Sequence, residues 1–127
     1  MTNFTIFTNN PAVKATYPQL VTEVSGDVGD VFTAVRDAVH RGAVLISHPL
    51  AGSIKPNESP YKSVMASASV GALHTDSLAL IEGAAAVLRK MPLKHREYPQ
   101  QVLDDFAVID LDLMHSAMAS LPPDYHL

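Results

Sequence analysis

The order of segments along this chain predicts an α/β fold: a three-layer α/β/α sandwich around an open, mostly parallel sheet of Rossmann-like type. Three observations carry that expectation. Phe4-Thr5-Ile6-Phe7-Thr8 alternates in a β-rich composition, Val28 to Val39 places apolar residues at spacings of three and four, and Ala43-Val44-Leu45-Ile46-Ser47 is a continuous apolar run. Strand, helix and strand at short spacing imply right-handed βαβ units. All 127 residues read as a single domain, large enough to bury roughly two-thirds of the surface that its unfolded form exposes.

Phe4 to Thr8 is the first strand. Asn10 then stands as an N-cap and Pro11 at the first helical position, where proline has no N–H to lose, so a short helix runs to about Tyr17. Pro18 stops it, and Gln19 to Val24 reads as a second strand. Ser25-Gly26-Asp27 is turn chemistry before the amphipathic helix, which places Val28, Val31, Phe32, Val35, Ala38 and Val39 on one face and Asp30, Arg36, Asp37 and Arg41 on the other. Gly42 can end it with a backbone that residues with a Cβ avoid. The run from Ala43 to Ser47 has the pattern of a strand covered on both faces, which predicts a central position. Lys62 to Ala68 is a weaker fourth strand; since no helix precedes it, an antiparallel direction and a mixed sheet are compatible with the pattern. Thr75 or Asp76 caps a second strong helix carrying Leu78, Ile81, Ala85 and Leu88 inward. A helical turn from Gln101 to Asp105, a strand at Phe106 to Asp110 and a last helix from Asp112 to Ser120 complete the expectation.

Composition narrows the function classes. Lys plus Arg number 9 against 13 for Asp plus Glu, a formal charge of −4, which disfavours non-specific attraction to nucleic acid or an anionic membrane. The chain has no cysteine, so thiol nucleophiles, thiolate metal ligands and disulfides are excluded. The most apolar stretch, Leu78 to Leu88, is too short to span a bilayer and is interrupted by Glu82 and Gly83. No basic segment followed by an apolar stretch opens the sequence, and a cytoplasmic location is the expectation.

Between the third and fourth strands lies His48-Pro49-Leu50-Ala51-Gly52-Ser53-Ile54-Lys55-Pro56-Asn57-Glu58-Ser59-Pro60-Tyr61-Lys62-Ser63, a polar connection stiffened by three prolines. Long polar connections in compact domains are commonly binding elements. His48, Lys55 and Lys62 can carry positive charge or donate hydrogen bonds, while Gly52 and Ser53 let backbone N–H groups approach an anion. Asn9 and Asn10 can direct amides at the same place from the tip of the first strand. The expected ligand-binding residues are therefore Asn9, Asn10, His48, Gly52, Ser53, Lys55, Asn57, Tyr61 and Lys62, and the expected ligand is a small anionic metabolite bearing a carboxylate or phosphate. The plainer reading is that the prolines route the chain, Asn57 and Glu58 satisfy backbone groups, Tyr61 packs beneath, and Asn10 is simply a cap.

No cofactor is expected. Asp104, Asp105, Asp110 and Asp112 resemble a carboxylate cluster for Mg²⁺, yet helix capping and solvation account for them, so no metal site is assigned. His74, His95, His115 and His126 lack HxH or HExxH spacing. Ser53 and Ser63 lack the glycine elbow of a hydrolase nucleophile.

The combination HPLAGSIKPNESPYKS, with TNNP before it and VLDDFAVIDLDLM after it, resembles the GrdX family over about Thr8 to Met114. These are small proteins encoded beside the glycine, sarcosine and betaine reductase genes of anaerobic amino-acid fermenters. The resemblance implies an accessory role, with a small anionic ligand or a glycine reductase subunit bound through the 48–63 loop. It transfers no reaction and no catalytic residue, and without cysteine this chain is not a thiol or selenol carrier of such a system. The alternative is a small enzyme with His48 as general acid or base on a carboxylate or acyl phosphate substrate. A homodimer through an edge strand or the small residues from Gly83 to Ala86 is compatible with the sequence.

Overall fold

Phe4 and Ile6 face one side of the first strand and Phe7 the other, and all three are buried, so this strand needs cover on both faces. It lies at the centre of the sheet. The structure is a computed structural model that describes residues 2–52, 57–91 and 97–126. Its elements run β1 (Phe4–Thr8), α1 (Pro11–Thr16), β2 (Val21–Glu23), α2 (Val28–His40), β3 (Ser63–Ser67), α3 (Thr75–Lys90) and α4 (Gln100–Ala119). The strand order is β2-β1-β3; β1 is parallel to β2 and antiparallel to β3, with Ile6 opposite Met65 and Thr8 opposite Ser63.

Two apolar clusters form on opposite faces of that sheet. Phe7, Val64 and Ala66 meet the buried stripe of α2 and Ile81 and Ala84 of α3. Phe4, Ile6 and Met65 meet Val13 of α1 and Met114 of α4. Side-chain caps start three of the four helices, α1, α2 and α3. Asn10 caps α1 by accepting from Ala12 N–H, while Asp27 and Asp30 close a reciprocal capping box on α2. His74, in place of the expected Thr75 or Asp76, caps α3 by accepting from Ser77 N–H.

The expected three-layer, mostly parallel Rossmann-like sandwich is not what forms. The protein has a mixed sheet of three strands and four helices among the described residues. Two segments account for the difference. Ala43 to Ser47 is neither a strand nor central: it runs beside β3, with one antiparallel bridge between Leu45 and Ala66. Serine hydroxyls take up much of what a ladder would provide, since Val44 N–H donates to Ser67 Oγ, Leu45 N–H to Ser77 Oγ and Met65 N–H to Ser47 Oγ. Phe106 to Asp110 is not a strand either but the middle of α4, whose single run absorbs the separate turn, strand and helix expected there. In that helix Ala107, Asp110 and Met114 share the buried face.

Candidate functional site

The tip of β1, the start of β3 and the middle of α4 converge on one carboxylate. Asp110 is only 5% exposed, and its Oδ2 accepts from Ser63 Oγ at 2.7 Å and from Asn10 Nδ2 at 3.0 Å. Because Ser63 gives its one hydroxyl proton to Asp110, it accepts from Thr8 Oγ1, 2.7 Å away, and Thr8 in turn accepts from the Asn10 backbone N–H at 2.9 Å. The result is a directed chain, Asn10 to Thr8 to Ser63 to Asp110, in which each bond polarises the next. The remaining valences of Asn10 are also filled, by Ala107 O and by Ala12 N–H.

Beside this network stands Lys62. Asn9 fixes its backbone: Oδ1 accepts from Lys62 N–H at 2.9 Å, while Nδ2 donates to Gly26 O at 3.0 Å and Pro60 O at 2.9 Å. The Lys62 side chain is half-buried and donates from Nζ to Ala51 O at 3.1 Å. Removal from water pushes the Lys62 ammonium below its ordinary pKa of 10.5, and the field of Asp110 opposes that shift in part.

Gly52 directly follows Ala51, the acceptor of the Lys62 ammonium, and Tyr61 directly precedes Lys62. His48 is exposed and its Nδ1 accepts from Leu50 N–H at 3.0 Å, so the imidazole closes its own turn. Gly52, at φ +109°, lies against Leu113 of α4. Asn57 and Tyr61 are half-buried along the connection, and Tyr61 N–H donates to Ser59 Oγ. Ser53 and Lys55, like His95, lie outside the described residues. Asp104, Asp105 and Asp112 are exposed on α4 while Asp110 points inward, and among the described residues no three His, Asp or Glu are placed to share a metal ion. A surface hollow of about 490 Å³ opens at the carboxyl ends of β1 and β2, lined by Thr8, Asn9, Asn10 and Pro11 with Lys14 and Glu23, which pair at 2.6 Å.

A family model described as GrdX-like protein matches residues 5–119. The chain belongs to the GrdX-like family. The match runs from within β1 to the last residue of α4 and so includes Asn9, Asn10, Lys62, Ser63 and Asp110. No curated protein and no solved structure matches this GrdX-like chain. No helix among the described residues is long and apolar enough to cross a membrane.

Thr8, Ser63 and Asp110 are the residues of the network that sequence reasoning did not assign to the site. Thr8 reads as an ordinary strand residue, and Asp110 is set apart from its neighbouring aspartates only by the phase of α4.

The electrostatics of Lys62 in this GrdX-like protein have a measurable consequence. The folded chain releases the Lys62 proton at a lower pH than the unfolded chain, whose value is the ordinary 10.5. Between those two pH values the unfolded chain binds more protons, so this residue's contribution to stability rises with pH. Tyr17, raised above 10.0 by its own burial, acts in the opposite sense. Comparing wild type with Lys62→Met at each pH cancels Tyr17. Urea unfolding from neutral pH towards 10.5 is expected to show the difference moving steadily in favour of wild type; a flat difference would mean that the ammonium is as well hydrated in the fold as out of it.

Proposed function

We propose that this protein is an accessory component of glycine reductase type systems that binds a small anionic metabolite, with Lys62 as the group that meets the anion. The supporting observation is the state of that ammonium. It is half-buried, its hydrogen bond goes to the neutral carbonyl of Ala51, and among the described residues no carboxylate lies within 4.0 Å of it. A partly desolvated charge without a close counter-ion is disfavoured, and a bound carboxylate or phosphate supplies such a partner. Membership of the GrdX-like family supports the link to the reductase system, and the lack of cysteine favours a role other than thiol or selenol carrier. A binding role is also favoured over acid–base chemistry at His48, whose Nδ1 is engaged by Leu50 N–H.

Isothermal calorimetry with acetate, glycine, inorganic phosphate and acetyl phosphate tests the reading. At least one of these anions is expected to bind, with Lys62→Met losing about tenfold or more in affinity and Lys62→Arg losing much less. Absence of heat from all four would refute small-anion binding. If reductase subunits nevertheless co-purify with the chain, recognition is of protein.

A further inference from the structure

The surface hollow of about 490 Å³ at the carboxyl ends of β1 and β2 lies within the size range of small-ligand sites, and Lys62 is not among the described residues that line it. Its walls are set before any ligand arrives. Asn9 is tied to Gly26 O, Pro60 O and Lys62 N–H, Asn10 to Ala107 O, Asp110 and Ala12 N–H, and Thr8 to Ser63 and the Asn10 N–H. These polar side chains are already engaged, so they shape the hollow rather than grip its contents. Pro11, Lys14 and Ala15 recur at spacings of three and four on the side of α1 away from the buried Val13. Together with Pro18 they give the hollow an exposed apolar surface and one ammonium.

The opposite pole is Glu23, the last residue of β2. Its Oε2 lies 2.6 Å from Lys14 Nζ, and both side chains are about half exposed. An ion pair so open to water contributes little to the fold, so parting it costs little. A lone anion approaching Lys14 would meet the Glu23 carboxylate beside it, and a lone cation approaching Glu23 would meet the ammonium. A ligand that carries both charges meets an attractive partner for each: its carboxylate takes Lys14, its ammonium takes Glu23, and one pair becomes two. We infer that this hollow binds a small zwitterion, an α-amino acid whose apolar side chain lies over Pro11, Ala15 and Pro18. The inference goes beyond the anion reading of Lys62 and does not depend on it.

L-Valine is the probe, with isovalerate, which lacks the ammonium, and isobutylamine, which lacks the carboxylate, as its two halves. Titration of the full chain, followed through its backbone amide resonances, is expected to show saturable shifts with valine at Lys14, Ala15 and Glu23, and about tenfold weaker binding of either half. Lys14→Met and Glu23→Gln are each expected to lose about tenfold in valine affinity while keeping the dispersed spectrum of the folded chain, because the pair is exposed. Glycine has the same charges without the side chain and should bind more weakly; equal affinity would overturn the apolar contact. Valine affinity unchanged in both variants, or isovalerate binding as tightly as valine, would overturn the zwitterion site. Isovalerate binding that disappears in Lys62→Met would in that case uphold the anion site. Absence of saturable shifts with valine would leave Lys14 and Glu23 as a surface ion pair only, whatever the calorimetry at Lys62 shows.

Discussion

Asp110→Ala is expected to destabilise the fold by about 2–4 kcal/mol, far more than removal of the exposed Asp112 two residues on. The carboxylate is the terminus of the Asn10–Thr8–Ser63 chain, so its loss strands the Ser63 hydroxyl in a site that is 3% exposed and leaves one Asn10 N–H without its acceptor. Asn10 keeps Ala107 O, which limits the damage on that side. Asp110→Asn can keep a carbonyl oxygen where both donors meet Oδ2 but loses the charge that strengthens those bonds, and an intermediate loss is expected. A double-mutant cycle with Ser63→Ala isolates the bond itself: once the hydroxyl is gone, removing Asp110 should cost about 1 kcal/mol less than in the wild type. Urea unfolding measures all four proteins. If Asp110→Ala stays within about 0.5 kcal/mol of Asp112→Ala, the network is not a fastening between α4 and the strand tips. The same change removes the field that partly offsets desolvation of Lys62, so the amine should lose its proton at a still lower pH.

How much of this was legible in the sequence depended on how local each signal is. Asn10 with Pro11, and Asp27 with the three-and-four spacing from Val28 to Val39, specify helix starts through neighbours in the chain, and both helices begin where those residues place them. Ala43 to Ser47 and Phe106 to Asp110 are short apolar runs, for which periodicity does not separate strand from helix or from a covered edge. The first is decided by hydroxyls distant in sequence, those of Ser67 and Ser77. The second was decidable from a wider window. No glycine or proline interrupts residues 100–121, and Val102, Leu103, Phe106, Ala107, Asp110, Leu111, Met114, Ala117 and Met118 recur at spacings of one, three and four. Taking Phe106 to Asp110 alone hid one long helix and supplied a strand that the sheet does not have. Losing both strands removes the doubly wound sheet. The site divides in the same way. Asn9, Asn10 and Lys62 stood out as polar residues next to β1 and β3, but Asp110, which bonds Asn10, sits 100 residues from it in the chain, on a helix face defined only by packing.

Gly42→Ala is the other substitution expected to have a large effect, a loss of about 3 kcal/mol. Gly42 has φ +114°, and a Cβ built there would stand 2.3 Å from Gly71 N and 3.0 Å from Gly71 O. Those are backbone atoms and cannot rotate aside. They also belong to a fastening, because Gly71 N–H donates to Arg41 O at 2.8 Å and Ser69 Oγ donates to Gly42 O at 3.1 Å, joining the end of α2 to the turn that leads into α3. Two other glycines separate clash from strain. Gly71→Ala, at φ +153° but with open space around it, should cost about 1 kcal/mol, whereas Gly83→Ala, on the exposed side of α3 with nothing within 4 Å, should stabilise by about 0.5–1 kcal/mol. Thermal and urea unfolding of the three variants should give that order; equal effects at Gly42 and Gly71 would show that the backbone contact yields easily. The consequence extends to function because Gly42 opens the segment that passes along β3 to Ala51, whose carbonyl receives Lys62. Where the Gly42–Gly71 contact is forced apart, anion affinity should fall along with stability.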